Sequence, residues 1–227
     1  MLTLAIDTAT RTLAVALVQD QQVLGEAAEI AAQSHAERLP QLLSELMAQA
    51  NVTREQITQV AVGVGPGAYT GLRVGLMFAT AFARAREIDL VGICTHDVIA
   101  PADFTGLVIT DARRKEVYLS QYQAGVRLAA PIVIKPAEIA AAGQVVIGDG
   151  VAAFPELFPT STATPISAGK LGQQVNELLA AGVKIADVVP QVFAANSDGA
   201  GAIPQNSSLL LPALPLYLRR PDVMEPK

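Results

Sequence analysis

Residues 60–86 read VAVGVGPGAYTGLRVGLMFATAFARAR, and this stretch decides how the chain is expected to fold. It begins with a short apolar run that is typical of a buried strand. Gly65 and Gly67 then bracket a proline, which predicts a sharp turn because glycine tolerates backbone angles that other residues avoid. A helix is predicted from about Gly71 to Arg86. A buried strand that passes through a glycine turn into a helix indicates an α/β protein.

The glycine turn has two interpretations. A helix N-terminus presents unpaired N–H groups that can hold a phosphate. The turn has no lysine and does not match GxxxxGKS or GxxxxGKT, which excludes a Walker-type nucleotide site. Gly65 and Gly67 are the candidate cofactor-binding residues, together with Asp7 and Thr8 at the end of another predicted strand. A tight structural turn is the favoured interpretation, and no cofactor is expected.

The helix after the turn is apolar around its circumference and carries no charge between Val74 and Ala83. It must therefore be covered on more than one side, by the sheet and by another helix. That second helix belongs either to this chain or to a partner protein, and the pattern leaves both open. One stripe of mostly large apolar side chains is formed by Val74, Met77, Phe78, Ala81 and Phe82. A second stripe, of small residues, is formed by Gly71, Gly75, Ala79 and Ala83.

The first hundred residues are predicted to follow the order βββαβαβ. Three strands joined by short turns precede a helix whose leucines fall at helical spacing. Ser34 and Glu37 form a capping-box pattern at the start of that helix. Pro40 conflicts with a helix that begins at Ser34, so the helix either kinks there, which is favoured, or begins at Pro40. The predicted strands are Leu2–Ile6, Leu13–Val18, Val23–Ile30, Val60–Val64 and Ile88–Ile93.

The second half has a weaker pattern. A strand ending in an aspartate and followed by a hairpin occurs at Ile6-Asp7 and again at Thr110-Asp111, which suggests two related halves with a boundary near residue 100. A loop is predicted over 196–208, which is rich in small and polar residues. The other predicted elements are strands at 107–110, 116–122 and 144–148 and helices at 137–142 and 169–181.

Composition limits the class of protein. The 227 residues include 51% hydrophobic ones and carry a net charge of -5, which fits a globular protein and not one that grips nucleic acid unaided. The single cysteine, Cys94, excludes an internal disulfide and is expected to be a buried thiol. No signal peptide is predicted, and the longest apolar stretch is shorter than the roughly 20 residues that span a bilayer. A cytoplasmic protein without membrane contact is expected.

No metal site or catalytic set is predicted. His35 stands at the head of the first helix, but the residue four positions later is Leu39, and His96 lies in a different segment. Asp7, Asp111 and Asp149 are carboxylates beside turns, where caps and turn formers are common. The basic run at 113–115 is interpreted as a solvated hairpin tip that could also touch phosphate.

Five strings in order resemble the bacterial TsaB (YeaZ) proteins. The resemblance covers the first 122 residues well and has one further match near the C-terminus. The strings are LAIDTAT (4–10), SHAERLP (34–40), GPGAYTGLR (65–73), DARRKEVY (111–118) and PLYLR (215–219). The resemblance implies an actin-like ATPase (ASKHA, ribonuclease H-like) fold of two related subdomains, 1–100 and 101–227, each with a mixed sheet flanked by helices.

The resemblance also implies a function. Members of this family are non-catalytic subunits of the machinery that makes threonylcarbamoyladenosine in tRNA, and they dock through their first two helices onto the catalytic paralogue TsaD. A TsaE homologue joins the complex, the same surface forms homodimers when the partner is absent, and contact with tRNA is indirect or weak. The partner-binding residues implied here are His35, Leu39, Leu42, Leu43, Leu46, Arg73, Gly75 and Ala79.

The chain departs from the family pattern in one place that bears on chemistry. Ala68 stands where the family commonly has serine, which removes a hydroxyl that could cap the helix or contact an anion. In TsaD a second histidine completes the metal site, and here its position is Leu39. Two alternatives stay open: a nucleotide-hydrolysing enzyme or metallopeptidase of the same fold, and a homodimeric regulator with a separate role.

Overall fold

The computed structural model describes residues 1–30, 35–139, 143–186 and 210–218. Ser34, and with it the predicted capping box, lies outside these ranges, as does the predicted loop at 196–208. The predicted helix at 137–142 coincides only with a 3-10 turn at Pro136–Glu138, and residues 140–142 are not described.

The first sheet has five strands in the order β3-β2-β1-β4-β5. β1 pairs antiparallel with β2 and parallel with β4, and β4 pairs parallel with β5. The predicted strands of the first hundred residues are all present within a residue or two. Their bounds are β1 Leu2–Asp7, β2 Thr12–Gln19, β3 Gln22–Ile30, β4 Gln59–Gly63 and β5 Asp89–Ile93.

The described helices cover both faces of this sheet. Two of them, α1 and α2, pack side by side on one face, and α5 packs on the other. The helix containing Pro40 begins before the proline, at His35, so the proline lies inside it. The described helices are α1 His35–Gln49, α2 Tyr69–Arg86, α3 Thr95–Ile99, α4 Gly150–Ala153 and α5 Ala168–Ala180.

The two faces of the first sheet differ in side-chain size. Because alternate residues of a strand point to opposite faces, the face under α1 and α2 receives large side chains such as Leu4 and Ile6 of β1. The other face receives small ones, including Ala5 and Ala16. A Cβ added to Gly172 of α5 would lie 3.3 Å from the Cβ of Ala5, so the small side chains let α5 approach the sheet closely.

The second sheet repeats the core of the first. β6 pairs antiparallel with β7 and parallel with β10, as β1 pairs with β2 and β4. Asp7 and Asp111 end the equivalent strands β1 and β6. This duplication confirms an α/β fold with two mixed sheets flanked by helices. The strands are β6 Gly106–Asp111, β7 Val117–Gln123, β8 Val126–Arg127, β9 Ile132–Ile134 and β10 Val146–Ile147.

The strands of the first sheet precede residue 100 and those of the second sheet follow it, but later segments of the chain return to the first sheet, and two subdomains that divide near residue 100 stay a prediction. The later helix α5 packs on the first sheet. The segment 210–218 also returns there, where Leu211 and Gly92 of β5 exchange backbone hydrogen bonds of 2.7 and 2.8 Å. The first layer is therefore built from both halves of the sequence.

The short helix α3 joins the two sheets through polar side chains. Thr95 donates a 2.7 Å hydrogen bond to the Asp7 carboxylate at the end of β1. The two ring nitrogens of His96 lie 2.7 and 2.8 Å from the hydroxyl oxygens of Ser120 and Thr110 on the second sheet. Burial lowers the pKa of His96 to about 3, so its ring is neutral at physiological pH.

A buried ion pair extends this connection. Arg127 of β8 donates through two nitrogens to Asp97 of α3, at 2.8 and 3.2 Å, and both side chains are 1% exposed. The hydroxyl of Tyr122 donates a 2.6 Å hydrogen bond to the same carboxylate. Because an unpaired buried charge is strongly destabilising, this arrangement holds β8 in place against α3. At five residues, α3 is too short to show helical periodicity, and the sequence did not predict it.

Candidate functional site

The glycine turn packs against its own chain. Gly65 has a φ of 98°, a conformation that glycine adopts readily. Its carbonyl oxygen accepts a 2.9 Å hydrogen bond from the N–H of Thr95. A Cβ added to Gly67 would lie 2.4 Å from the carbonyl oxygen of Ala9, and the carbonyl oxygen of Gly67 accepts from the Tyr118 hydroxyl at 3.1 Å. This geometry favours the structural interpretation of the turn.

Asp7 is fully buried, and its carboxylate is used within the chain. One oxygen accepts from the N–H of Ala9 at 2.8 Å, and the other accepts from the hydroxyl of Thr95. Burial raises the pKa of Asp7 to about 6. A Cβ at Gly63 would lie 1.8 Å from a carboxylate oxygen of Asp7, so the glycine is required to make room for it.

The side chain of Thr8 is inserted into helix α2. Its hydroxyl donates to the carbonyl oxygen of Gly71 at 2.8 Å and accepts from the N–H of Gly75 at 3.0 Å. In a regular helix, that N–H and that carbonyl would bond to each other. The internal contacts of the four candidate cofactor-binding residues, Asp7, Thr8, Gly65 and Gly67, therefore favour a structural role for them, in which they hold the turn and α2 in place.

The other predicted carboxylates also pair locally. Asp149 accepts a 3.3 Å hydrogen bond from the N–H of Asp111, and Asp111 forms a 3.5 Å ion pair with Arg113. Burial raises the pKa of Asp149, and one of its oxygens is buried without a hydrogen-bond partner. Across the described ranges, no three His, Cys, Asp or Glu residues are arranged to hold a metal ion. Burial raises the pKa of Cys94 to about 12, which suppresses thiolate chemistry there.

The leucines of α1 face the interior. Their side chains are 0–4% exposed and pack on the first sheet, because an amphipathic helix turns its apolar stripe toward the core. The folded chain leaves these side chains almost no exposed surface, which argues against the predicted contact between them and a partner. Gly75 and Ala79 of α2 are buried in the same way. The residues concerned are Leu39, Leu42, Leu43, Leu46, Gly75 and Ala79.

The remaining two predicted partner-binding residues lie nearer the surface. His35 is partly buried in the seam between α1 and α2, where a Cβ added to Gly71 would lie 3.3 Å from its ring. Burial lowers the pKa of His35, and a hydrogen bond to the backbone of Thr10 opposes that shift. Arg73 is exposed near the start of α2.

The large-residue stripe of α2 faces outward. Met77 is 65% exposed, and Val74 and the adjacent Phe78 and Phe82, whose ring centroids are 6.3 Å apart, are partly exposed. Ala81 continues the exposed surface. Of the two stripes in the sequence, the small one faces the core. The large one lies at the surface, where Met77 and Ala81 are exposed while Val74, Phe78 and Phe82 also pack against the core. We call this uncharged surface, formed by residues 74, 77, 78, 81 and 82, the outer face of α2. Exposed apolar side chains on a helix make this face a candidate binding surface.

Comparison with known proteins identifies the family. A model of the family described as TsaD, tRNA N6-adenosine threonylcarbamoyltransferase, matches residues 14–197. An uncharacterized protein of Mycobacterium tuberculosis is 34% identical over 222 residues, which cover 96% of this chain and 92% of that protein. The tRNA threonylcarbamoyladenosine biosynthesis protein TsaB of Bacillus subtilis is 32% identical over 127 residues, 54% of this chain and 56% of that protein.

A solved structure agrees with these matches. YeaZ from Pseudomonas aeruginosa superposes with a TM-score of 0.64 and 26% identity, covering 80% of this chain and 93% of that one. Within the described residues, no helix is both long enough and apolar enough to cross a membrane. Over the matched region, this chain spans about half the length of the Bacillus TsaB protein. The chain therefore belongs to the family that the TsaD model describes, and its TsaB and YeaZ matches support its recognition as a TsaB (YeaZ) protein.

Proposed function

We propose that this chain is a non-catalytic subunit of the machinery that makes threonylcarbamoyladenosine in tRNA, and that it works by binding the transferase TsaD. The observation that carries the proposal is the outer face of α2, an exposed surface without charge in a chain whose Bacillus relative is named for this biosynthesis. Such a surface is stabilised when a partner covers it.

The proposed partner is expected to share the fold of this chain. Residues 14–197 match the TsaD model, so we expect a TsaD protein to have its own equivalents of α1 and α2. Two pairs of helices can then pack face to face, with interaxial distances of about 8–10 Å. A second copy of this chain presents the same surface and forms a homodimer when TsaD is absent.

The absence of catalysis is part of the proposal. The side chains of Asp7 and Thr8 and the carbonyl oxygens of Gly65 and Gly67 form hydrogen bonds within the chain. His35 lacks a second histidine four positions later, where the buried Leu39 stands. With a net charge of -5, the chain leaves most of the contact with tRNA to its partners, TsaD and a TsaE homologue, in the cytoplasm.

The test is complex formation with the TsaD homologue from the same source, measured by size-exclusion chromatography with light scattering. The wild-type chain is expected to form a stable heterodimer. Met77→Asp and Ala81→Asp are expected to abolish it, because each places a charge in the centre of the buried surface. Leu157→Asp is the matched control, since Leu157 is 44% exposed outside α1 and α2.

Two results would count against the proposal. A wild-type chain that does not associate with TsaD would refute the function itself. A complex that survives both α2 substitutions would refute the outer face of α2 as the binding surface. The thermal unfolding midpoints of the variants, measured alongside, separate lost binding from lost folding.

A further inference from the structure

We infer that Tyr69, Arg73 and Tyr217 form a preorganised anchor that binds a carboxylate of the partner protein at one end of the outer face of α2. The inference rests on the proposed function and adds a chemical requirement to it. It also gives the segment 210–218 a part in binding, which the sequence did not suggest.

The three side chains form a stack on the surface at the start of α2. The ring centroids of Tyr69 and Tyr217 are 4.8 Å apart, with the planes tilted by 33°. The guanidinium carbon of Arg73 lies 5.0 Å from the centroid of the Tyr69 ring, and Arg73 also donates a hydrogen bond to the Tyr69 hydroxyl. Arg73 is exposed, while the two tyrosines are partly buried. The flexible arginine is therefore held in one orientation by its neighbours.

Tyr217 is positioned beside Tyr69 by the segment 210–218, which is bonded to the first sheet. Besides the Leu211–Gly92 pair, the N–H of Leu216 donates a 2.8 Å hydrogen bond to the carbonyl oxygen of Val64, at the end of β4. Leu211 and Leu216 are each 2% exposed. These contacts attach the segment 210–218 to β5, the edge strand of the first sheet. Tyr217 extends beyond them and contacts the surface of α2.

The chemistry of the anchor favours a carboxylate. A guanidinium group has five N–H donors in a planar fork, and the Tyr69 hydroxyl accepts from one nitrogen. No carboxylate among the described residues pairs with Arg73. The remaining donors match the two oxygens of a carboxylate, and holding the arginine in advance reduces the entropy lost on binding. Tyrosine and arginine are also the residues most often found at the energetic centre of interfaces.

The position of the anchor favours a protein partner over RNA. Met77 lies one helical turn after Arg73, so the anchor continues directly into the outer face of α2. No charge follows on α2 until Arg84. A polyanion requires several neighbouring cations, whereas an apolar helix face with one acidic residue at its end fits this arrangement.

The test is the dissociation constant of the complex with the TsaD homologue, measured by calorimetry at low and high salt. Arg73→Gln is expected to weaken binding by roughly 30-fold, the size of an interface hot spot. Tyr217→Ala is expected to weaken it by about 10-fold, because the arginine loses its support. Arg73→Lys is expected to recover only part of the loss, since lysine lacks the planar fork. Arg84→Gln, an exposed arginine at the other end of α2, is the control.

A double-mutant cycle distinguishes an anchor from a structural role. Arg73→Gln and Tyr217→Ala are expected to be non-additive, whereas Arg84→Gln and Tyr217→Ala are expected to add. The anchor is refuted if the wild-type complex forms and all these variants bind like wild type. It is also refuted if single-stranded RNA binds the isolated chain and loses affinity in Tyr217→Ala while the TsaD complex is unchanged. A wild-type chain that does not bind TsaD refutes the proposed function together with the anchor.

Discussion

Replacement of Gly75 by alanine tests how α2 is held against the first strand. Alanine is a better helix former than glycine by about 1 kcal/mol, so helix propensity alone predicts that Gly75→Ala stabilises the protein. The structure predicts the opposite. A Cβ added at Gly75 would lie 2.4 Å from the Thr8 hydroxyl oxygen and 3.2 Å from its methyl carbon. Thr8 is 1% exposed, so it is surrounded by other protein atoms.

The expected cost follows from the contacts that are lost. Displacing Thr8 breaks its hydrogen bonds to Gly71 and Gly75, each worth about 1 kcal/mol. Overpacking of the site adds about 1–3 kcal/mol. After subtraction of the propensity gain, Gly75→Ala is expected to reduce the free energy of unfolding by about 2–4 kcal/mol. Urea unfolding followed by circular dichroism measures the change.

The companion substitution Thr8→Ala removes the side-chain atoms that clash. In the Thr8→Ala background, Gly75→Ala is expected to cost much less, which gives a coupling energy of about 2 kcal/mol between the two sites. The reasoning fails if Gly75→Ala stabilises the wild-type chain, or if its cost is the same in both backgrounds. Either result would mean that Thr8 does not restrict residue 75.

Three further predictions concern the buried polar groups. Arg127→Met leaves Asp97 buried without its cation and is expected to lower the free energy of unfolding, measured by heat or urea, by about 3–5 kcal/mol. The double variant Arg127→Met with Asp97→Leu is expected to lose less, and equal losses would contradict the ion pair. The folded-state pKa of Asp7, about 6, lies above its ordinary value of 3.8, so its protonated form stabilises the fold below about pH 4 and this contribution is lost as the pH rises through 6. The urea midpoint of Asp7→Asn, relative to that of the wild-type chain, is therefore expected to rise between pH 4 and pH 7. If the difference between the two midpoints is the same at both pH values, the raised pKa of Asp7 is refuted. Because the glycine turn is occupied by its own contacts, the isolated chain is expected to bind ATP negligibly in calorimetry, and tight binding would revive the enzyme alternative.

Local pattern was enough to predict most of the first half. Strands β1 to β5 and helix α2 follow from periodicity and from the glycine turn, because these signals depend on near neighbours in the chain. The second half was less predictable. β8 has two residues and β9 has three, too few for a clear alternation, and neither was predicted, whereas β10 lies inside the predicted strand at 144–148.

The outer face of α2 shows the limit of the sequence most clearly. The sequence by itself determined that the helix has a large and a small apolar stripe, and that the chain resembles the TsaB family. Which stripe meets the sheet was decided only by tertiary structure. The Thr8 side chain enters the helix at Gly75, where only a glycine leaves room for it, and this turns the small stripe inward.

The anchor and the buried ion pair were decided in the same way. Tyr217 meets Tyr69 only because the segment 210–218 returns to β4 and β5, and Arg127 meets Asp97 only because the two sheets pack together. Such contacts join residues far apart in the chain, so no local period or spacing encodes them. The sequence therefore determined most elements of the first half and the family resemblance, whereas the packing of the sheets and helices decided which side chains lie at the surface.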